Sequence, residues 1–345
     1  MATLEQEIRE LIKGRKYDDA IEKIRHEGMT AELYLLKGNA YFGNMDFERA
    51  IEAYTNALKI DAKLFEAYNN RGNSKSSMEM FEDAIEDYKK AIELNDNYVD
   101  AYFNMGLTYY CMGKPNEAIE CYDKTIECNP EHFMAYNNRG NAKNHIKDYI
   151  GALKDFTSSI DIRPTQYAYF NRGLSKENIN DLSGAIADYD KALSYNPNDF
   201  VILQKRGHAK FKNNDLNGAE LDYLTILNVM AENTEILVSL GMVYHKMNRD
   251  NDAIIQYTKA ISVDIDYADA YINRSIAAAS LKKYTMAIND LDRMFKYDIF
   301  RNDYLSTYNQ IRDIIEDRDD EKTEEFRKTL EEMALKIKPE RKKWY

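Results

Sequence analysis

Ala67-Tyr68-Asn69-Asn70-Arg71-Gly72-Asn73-Ser74-Lys75 returns almost unchanged as Ala135-Tyr136-Asn137-Asn138-Arg139-Gly140-Asn141-Ala142-Lys143. Its glycine recurs at Gly38, Gly72, Gly106, Gly140, Gly173, Gly207 and Gly241, always 34 residues apart except for one step of 33, and the next place holds Ser275. Twelve residues after each of these stands alanine: Ala50, Ala84, Ala118, Ala152, Ala185, Ala219, Ala253 and Ala287. Four residues further on comes an aromatic, Tyr54, Tyr88, Tyr122, Phe156, Tyr189, Tyr223 and Tyr257, with Leu291 in the last copy. Small residues at two fixed points let two helices approach closely, and a large ring one turn on fills the space beside them. Pro130, Pro164 and Pro197 fall where one period closes, and a proline there stops a helix.

A helix, a short turn and a second helix at this period resemble the tetratricopeptide repeat, over about nine-tenths of the chain. The resemblance implies an all-α fold, a right-handed superhelical solenoid of antiparallel helix pairs whose first helices line a concave face. Residues 1–30 are expected to form a degenerate N-terminal capping repeat. Tyr17-Asp18-Asp19-Ala20-Ile21 echoes Phe47-Glu48-Arg49-Ala50-Ile51, yet the helix before it lacks the aromatic and the glycine. Eight tandem units should fill residues 31–301, starting near Ala31, Phe65, Val99, Phe133, Gln166, Phe200, Thr234 and Ala268. From residue 302 to 345 the period is lost. Two apolar stripes, Tyr304, Leu305, Tyr308, Ile311, Ile314, Ile315 and then Phe326, Leu330, Met333, Ile337, predict C-terminal capping helices. A basic tail, Lys336 to Tyr345, follows them. The turns inside units are expected at Gly43-Asn44, Gly113-Lys114-Pro115-Asn116, Asn180-Asp181 and Asn213-Asn214-Asp215, with Pro115 in the first turn of its helix.

Composition bounds the function. The chain of 345 residues has a net charge of -12, which argues against a nucleic-acid partner, because displacing counterions from a phosphate backbone takes clustered lysine and arginine. Cys111, Cys121 and Cys128 form no CxxC pair and read as free thiols of a reducing compartment. The first residues are charged, and no apolar run approaches the roughly 18 to 20 residues of a membrane span, so neither a signal sequence nor a membrane partner is expected. Cytoplasm is the expected location, with the nucleus left open. His26, His132, His145, His208 and His245 are scattered through different units, and each repeated glycine lies inside a helix rather than in a phosphate loop. No catalytic residue, cofactor or metal site is expected.

Two positions change together along the repeats. Where the seventh residue of a unit is arginine (Arg71, Arg139, Arg172, Arg206, Arg274), aspartate stands sixteen residues later: Asp87, Asp155, Asp188, Asp222, Asp290. Where it is Lys37, Met105 or Leu240, the partner position holds Ala53, Cys121 or Gln256. Four of the arginine units also carry lysine one turn on, at Lys75, Lys143, Lys176 and Lys210, in place of tyrosine. The pattern predicts partly buried ion pairs between the two helices of a unit, architectural rather than catalytic.

Helical spacing puts the second, fifth, sixth, ninth, twelfth and thirteenth residues of a unit on the inner face. Asparagine fills the sixth place in four successive units, Asn70, Asn104, Asn138 and Asn171, and returns at Asn273, while Asn39, Asn73 and Asn141 occupy the ninth. An amide both donates and accepts, so this row suits the main chain of an extended peptide, a use the resemblance also implies. Phe103, Phe170 and Asp100 flank it, and acidic second positions point to a basic or neutral, partly apolar segment. The carboxylate clamp that some tetratricopeptide proteins use for acidic chaperone tails is not matched. Its places hold Leu35, Asn39, Asn70, Asp100 and Asn104, or in the nearest frame Asn137, Asn141, Asn171, Val201 and Lys205. The expected function is a non-catalytic scaffold or adaptor that binds a protein segment in its groove. The alternatives are a structural subunit docking by its convex face or ends, and an array that recruits substrates to a separate enzyme.

Overall fold

The computed structural model describes residues 3–24, 28–296 and 301–337, which form twenty helices and no strand. They gather into two compact units, residues 1–179 and 180–345. The basic residues from Lys338 onward lie outside the described residues.

The first unit holds α1 (Leu4–Lys13), α2 (Tyr17–Ile24), α3 (Ala31–Gly43), α4 (Phe47–Ile60), α5 (Phe65–Ser77), α6 (Phe81–Leu94), α7 (Val99–Cys111), α8 (Pro115–Cys128), α9 (Phe133–His145), α10 (Tyr149–Ile162) and α11 (Gln166–Asn178). From α3 on, the first helices start at the residues read from the repeat. Each second helix carries one buried stripe, as Ala50, Ala53, Tyr54, Ala57 and Leu58 do in α4, and in α6 and α10 the stripe also takes in one aspartate, Asp87 and Asp155. It packs against its own first helix and against the next one, and successive first helices also touch. The result is an all-α solenoid of antiparallel helix pairs.

The glycine ladder shows why the pairs close so tightly. A Cβ at Gly38 would collide with the Tyr54 ring, one at Gly72 would stand 2.7 Å from Tyr88, and one at Gly140 2.8 Å from Phe156. The ring therefore packs directly against first-helix backbone, and burying it contributes about 1.5–3 kcal/mol. Gly72→Ala would force the two helices apart.

The second unit holds α12 (Leu182–Tyr195), α13 (Phe200–Lys212), α14 (Leu216–Leu227), α15 (Thr234–Lys246), α16 (Asp250–Val263), α17 (Ala268–Ser280), α18 (Tyr284–Lys296), α19 (Arg301–Ile315) and α20 (Glu321–Ile337). Helices α13 to α18 repeat the same pairing. The apolar stripes beyond the periodic region form α19 and α20. There Ile311, Ile315, Phe326 and Leu330 are buried, and the Phe326 ring stacks on Tyr284 with centroids 4.4 Å apart.

The turn between the two helices of a pair needs one residue in the left-handed region, and the chain supplies it at a fixed register: Met45, Glu79, Gly113, Lys147, Asn180, Asn214, Asn248 and Lys282. Asn180, Asn214 and Gly113 belong to the expected turn residues, and Pro115 is the first residue of α8. Gly43 corrects an expectation. It closes α3 as helix, where its missing side chain admits the Tyr17 ring into the space a Cβ would fill, and Met45 takes the left-handed place. Glycine serves close packing as readily as turns, and here packing decides.

Candidate functional site

Arginine, lysine and aspartate lock the pairs that frame the inner face. In the α9–α10 pair the buried Asp155 carboxylate accepts from Arg139 Nε at 2.9 Å and Nη2 at 2.6 Å, and from Lys143 Nζ at 2.8 Å. Asp87 is held in the same way by Arg71 and Lys75, and in the second unit Asp222 by Arg206 and Lys210. Arg274 and Asp290 form a bidentate pair without the lysine. Burial works against the Arg139 and Arg206 charges, but their carboxylate partners outweigh it and hold both above the ordinary arginine pKa.

Each arginine also reaches back to the preceding second helix, a contact the sequence reading missed. Its Nη1 donates to Thr55 from Arg71, to Asp123 from Arg139, to Thr157 from Arg172, to Asp190 from Arg206 and to Thr258 from Arg274, over 2.6–3.2 Å. The corresponding place before Met105 is Lys89 and before Leu240 is Leu224. The place holds threonine in three units and aspartate in two, so only its polar character accompanies the arginine. One guanidinium thus ties two adjacent pairs together and fixes the spacing of the first helices.

On the face so fixed, the asparagines bond first to one another. Asn39 Oδ1 accepts from the Tyr54 hydroxyl and from Asn70 Nδ2, both at 2.9 Å. Asn69 Nδ2 donates to Asn70 Oδ1 at 3.0 Å, and Asn104 Nδ2 donates to Asn69 Oδ1 at 3.0 Å. Asn73 accepts from the Tyr88 hydroxyl at 2.9 Å. Further on, Asn171 Nδ2 reaches Asn137 Oδ1 at 3.4 Å, and Asn137 Nδ2 reaches Asn138 Oδ1 at 3.5 Å. Asn69 and Asn137, fifth residues of their units, carry the cross-links and were not among the expected site residues, although both stand in the repeated stretch itself.

The network breaks between α7 and α9. There the fifth residue is Phe103, whose ring packs on His132 and Tyr122 with centroids 4.7 and 5.9 Å away. His132 is held in turn, capping α9 by accepting from the Ala135 amide at Nδ1. With no amide at residue 103, Asn104 Oδ1 and Asn138 Nδ2 have no hydrogen-bond partner among the described residues. Asn141 is open as well, because Phe156 replaces the tyrosine that would donate to it. Asp100 is exposed at the start of α7, and Phe170 is half-buried on α11. Asn273 lies in the second unit, where its amide caps back on the Asp269 carbonyl of its own helix at 2.7 Å.

Among the described residues no group of three or more His, Cys, Asp or Glu side chains is placed to hold a metal ion. Burial, and then Glu120, push the Cys121 thiol up to about 12. No helix of the described residues is long and apolar enough to cross a membrane.

Models of the tetratricopeptide repeat match residues 38–78, 77–113, 99–132, 121–154, 167–199 and 234–266, together more than half of the chain. The chain belongs to the tetratricopeptide repeat family. Solved structures agree on the fold. A tetratricopeptide repeat protein from Parabacteroides merdae is similar at 16% identity and TM-score 0.52, over 72% of this chain and 99% of that one. PilF from Pseudomonas aeruginosa is similar at 17% identity and TM-score 0.50, over 60% and 94%. MamA is similar at 27% identity, over 49% and 92%, with TM-score 0.45. No curated protein sequence matches the chain. As a tetratricopeptide repeat array the protein is a scaffold for interaction with other proteins.

Proposed function

We propose that the first unit binds an extended segment of a partner protein along α5, α7, α9 and α11, with the main chain held chiefly by Asn104, Asn138 and Asn141. The break in the amide network supports this reading. An open acceptor and an open donor on adjacent helices suit the N–H and C=O of one extended residue, whereas Asn39, Asn70 and Asn73 are already engaged by side chains of the fold. Two hydrogen bonds of this kind add about 1–3 kcal/mol between them, so side-chain contacts must supply the rest. Asp100 and Glu66 on the same face favour a basic or neutral segment, and Phe103 and Phe170 offer it apolar edges. The free cysteines fit a reducing compartment, the cytoplasm.

In this reading α1–α2 are a degenerate capping repeat. Ile8, Ile24 and Leu36 bury one another where a further asparagine would otherwise meet the peptide. Helices α19 and α20 cap the last periodic pair, packing on α17 and α18.

The test is affinity capture from source-cell extract with wild type, the Asn104→Ala/Asn138→Ala/Asn141→Ala variant and Asn70→Ala, after equal helicity is verified. The proposal expects a partner held by wild type and Asn70→Ala and lost by the triple variant. A partner captured equally by all three would move the interface to the convex face or the ends, and would make the protein a structural subunit.

A further inference from the structure

The second helices α4, α6, α8, α10, α12 and α16 each have 14 residues, but α14 has 12 and stops at Leu227. The chain then crosses to α15 through Asn228 to Asn233 instead of the usual shorter turn. The missing half-turn leaves an open cleft of about 860 Å³ between the α14–α15 and α16–α17 turns. Its wall is apolar at Met230 and Tyr267, with Val229 and Ile265 exposed beside it at 70% and 58%. Its rim is acidic at Glu232, Glu235 and Asp264, and no lysine or arginine lines it. Burial first, and then Asp269, Glu235 and Asp264 nearby, hold the Tyr267 hydroxyl above its ordinary pKa.

We propose that residues 338–345 of the same chain dock in this cleft. The segment Lys338-Pro339-Glu340-Arg341-Lys342-Lys343-Trp344-Tyr345 carries four cations, one anion and two large aromatics in a protein of net charge -12. Its cations complement the acidic rim and its rings the apolar wall. The segment follows a helix of the same unit. Helix α20 starts at the α17–α18 turn, where Lys282 bonds Asp320, Arg318 donates to the Ala279 and Ser280 carbonyls, and Tyr284 bonds Thr323. It packs back along α19 and α18. Its 17 residues rise about 25 Å. Eight further residues span at most about 29 Å extended, a length of about two to three helix diameters, so docking requires the cleft to lie within that reach of Ile337. This site is independent of the asparagine groove and needs no partner to be tested.

Trp344 is the single tryptophan, so its emission in the full-length protein reports the segment alone. Docking predicts a blue-shifted maximum and protection from acrylamide. Both are weakened when salt rises from 0.1 to 1 M, which shortens the screening length from about 10 to about 3 Å. Glu232→Lys/Asp264→Lys, surface changes that leave helicity intact by circular dichroism, should move the emission to that of solvated indole. Adding Lys342→Glu/Lys343→Glu to that variant should restore the shift. Solvated emission in wild type overturns the proposal, as does a blue shift that the cleft variant leaves unchanged, which would put the segment elsewhere. A shift that disappears on dilution also overturns it, by giving the cleft to another copy's tail.

Discussion

Asp155 is one of the residues at which a single change bears directly on the architecture. It is 3% accessible and accepts three charge-assisted hydrogen bonds, two from Arg139 and one from Lys143. The side chains of these donors are only 16% and 21% accessible. Asp155→Ala leaves both cations half-buried without their anion, a loss of about 3–5 kcal/mol for a pair broken in the interior. Arg139 keeps its bond to the more exposed Asp123, so the lower part of that range is expected, about 3 kcal/mol. Asp100→Ala, at an exposed position of the same face, should stay within about 0.5 kcal/mol. Repeat arrays need not unfold in one step, so urea unfolding should be paired with amide exchange in α9 and α10. The neighbouring α7–α8 pair supplies the control, because its equivalent places hold Met105, Tyr109 and Cys121. The transplant Arg139→Met/Lys143→Tyr/Asp155→Cys should recover more than half of the loss. Equal stabilities for Asp155→Ala and Asp100→Ala would refute the reasoning, and a transplant as weak as Asp155→Ala would show that the loss comes from the cavity rather than the stranded charges.

The Tyr257 hydroxyl is buried with no partner among the described residues, whereas the Tyr54 hydroxyl bonds Asn39; Tyr257→Phe is therefore expected to be neutral or stabilising by up to about 1 kcal/mol and Tyr54→Phe to cost about 1 kcal/mol in denaturant titrations, and the reverse order would contradict this. Lys147 sits at φ 64°, so Lys147→Gly should raise the melting midpoint, by roughly 0.5–1 kcal/mol of relieved strain, while Lys154→Gly inside α10 should lower it by a similar amount. The bonds from Lys282 and Thr323 lower the Asp320 carboxyl from 3.8 to about 2. Its folded pKa is depressed, so its stabilisation is complete above pH 4 and is lost as the pH falls toward 2. The acid limb of stability should accordingly be flatter in Asp320→Asn than in wild type, and parallel limbs would remove the assignment.

What could be read in advance from the residues follows from how local each cause is. Gly72, Ala84 and Tyr88 define one helix pair because steric fit at a contact leaves a fixed residue type at a fixed place, and the helix starts followed. Arg71 and Asp87 were legible as a pair since a buried charge cannot outlast the loss of its partner, so the two positions change together. The reach of Arg71 to Thr55 and of Arg139 to Asp123 was hidden by chemistry: a hydroxyl and a carboxylate satisfy the same guanidinium nitrogen, and no single residue type marks the place. Asparagine is harder still. Helical spacing brings Asn70, Asn104 and Asn138 to one face, but an amide is satisfied equally by water, by a peptide or by another amide. Only the structure shows Asn70 committed to Asn39 while Asn138 Nδ2 is left open. The tryptophan-bearing tail was legible as basic, but the cleft that would receive it depends on α14 stopping two residues early, a packing detail with no sequence signature of its own.

The same accounting bears on which partner the groove accepts. In α5 and α9 the arginine and lysine of each first helix, Arg71 with Lys75 and Arg139 with Lys143, are turned into Asp87 and Asp155. Cations are thus present beside the inner face but are neutralised within the pairs, and presenting one to an acidic ligand would require leaving a buried aspartate uncompensated, at the several kcal/mol argued above for Asp155. Asp100, by contrast, is exposed at the start of α7. In the proposed groove, the charges that stabilise these helix pairs would therefore be withdrawn from recognition, and a ligand would meet an interrupted row of amides flanked by acid, an arrangement expected to disfavour acidic segments.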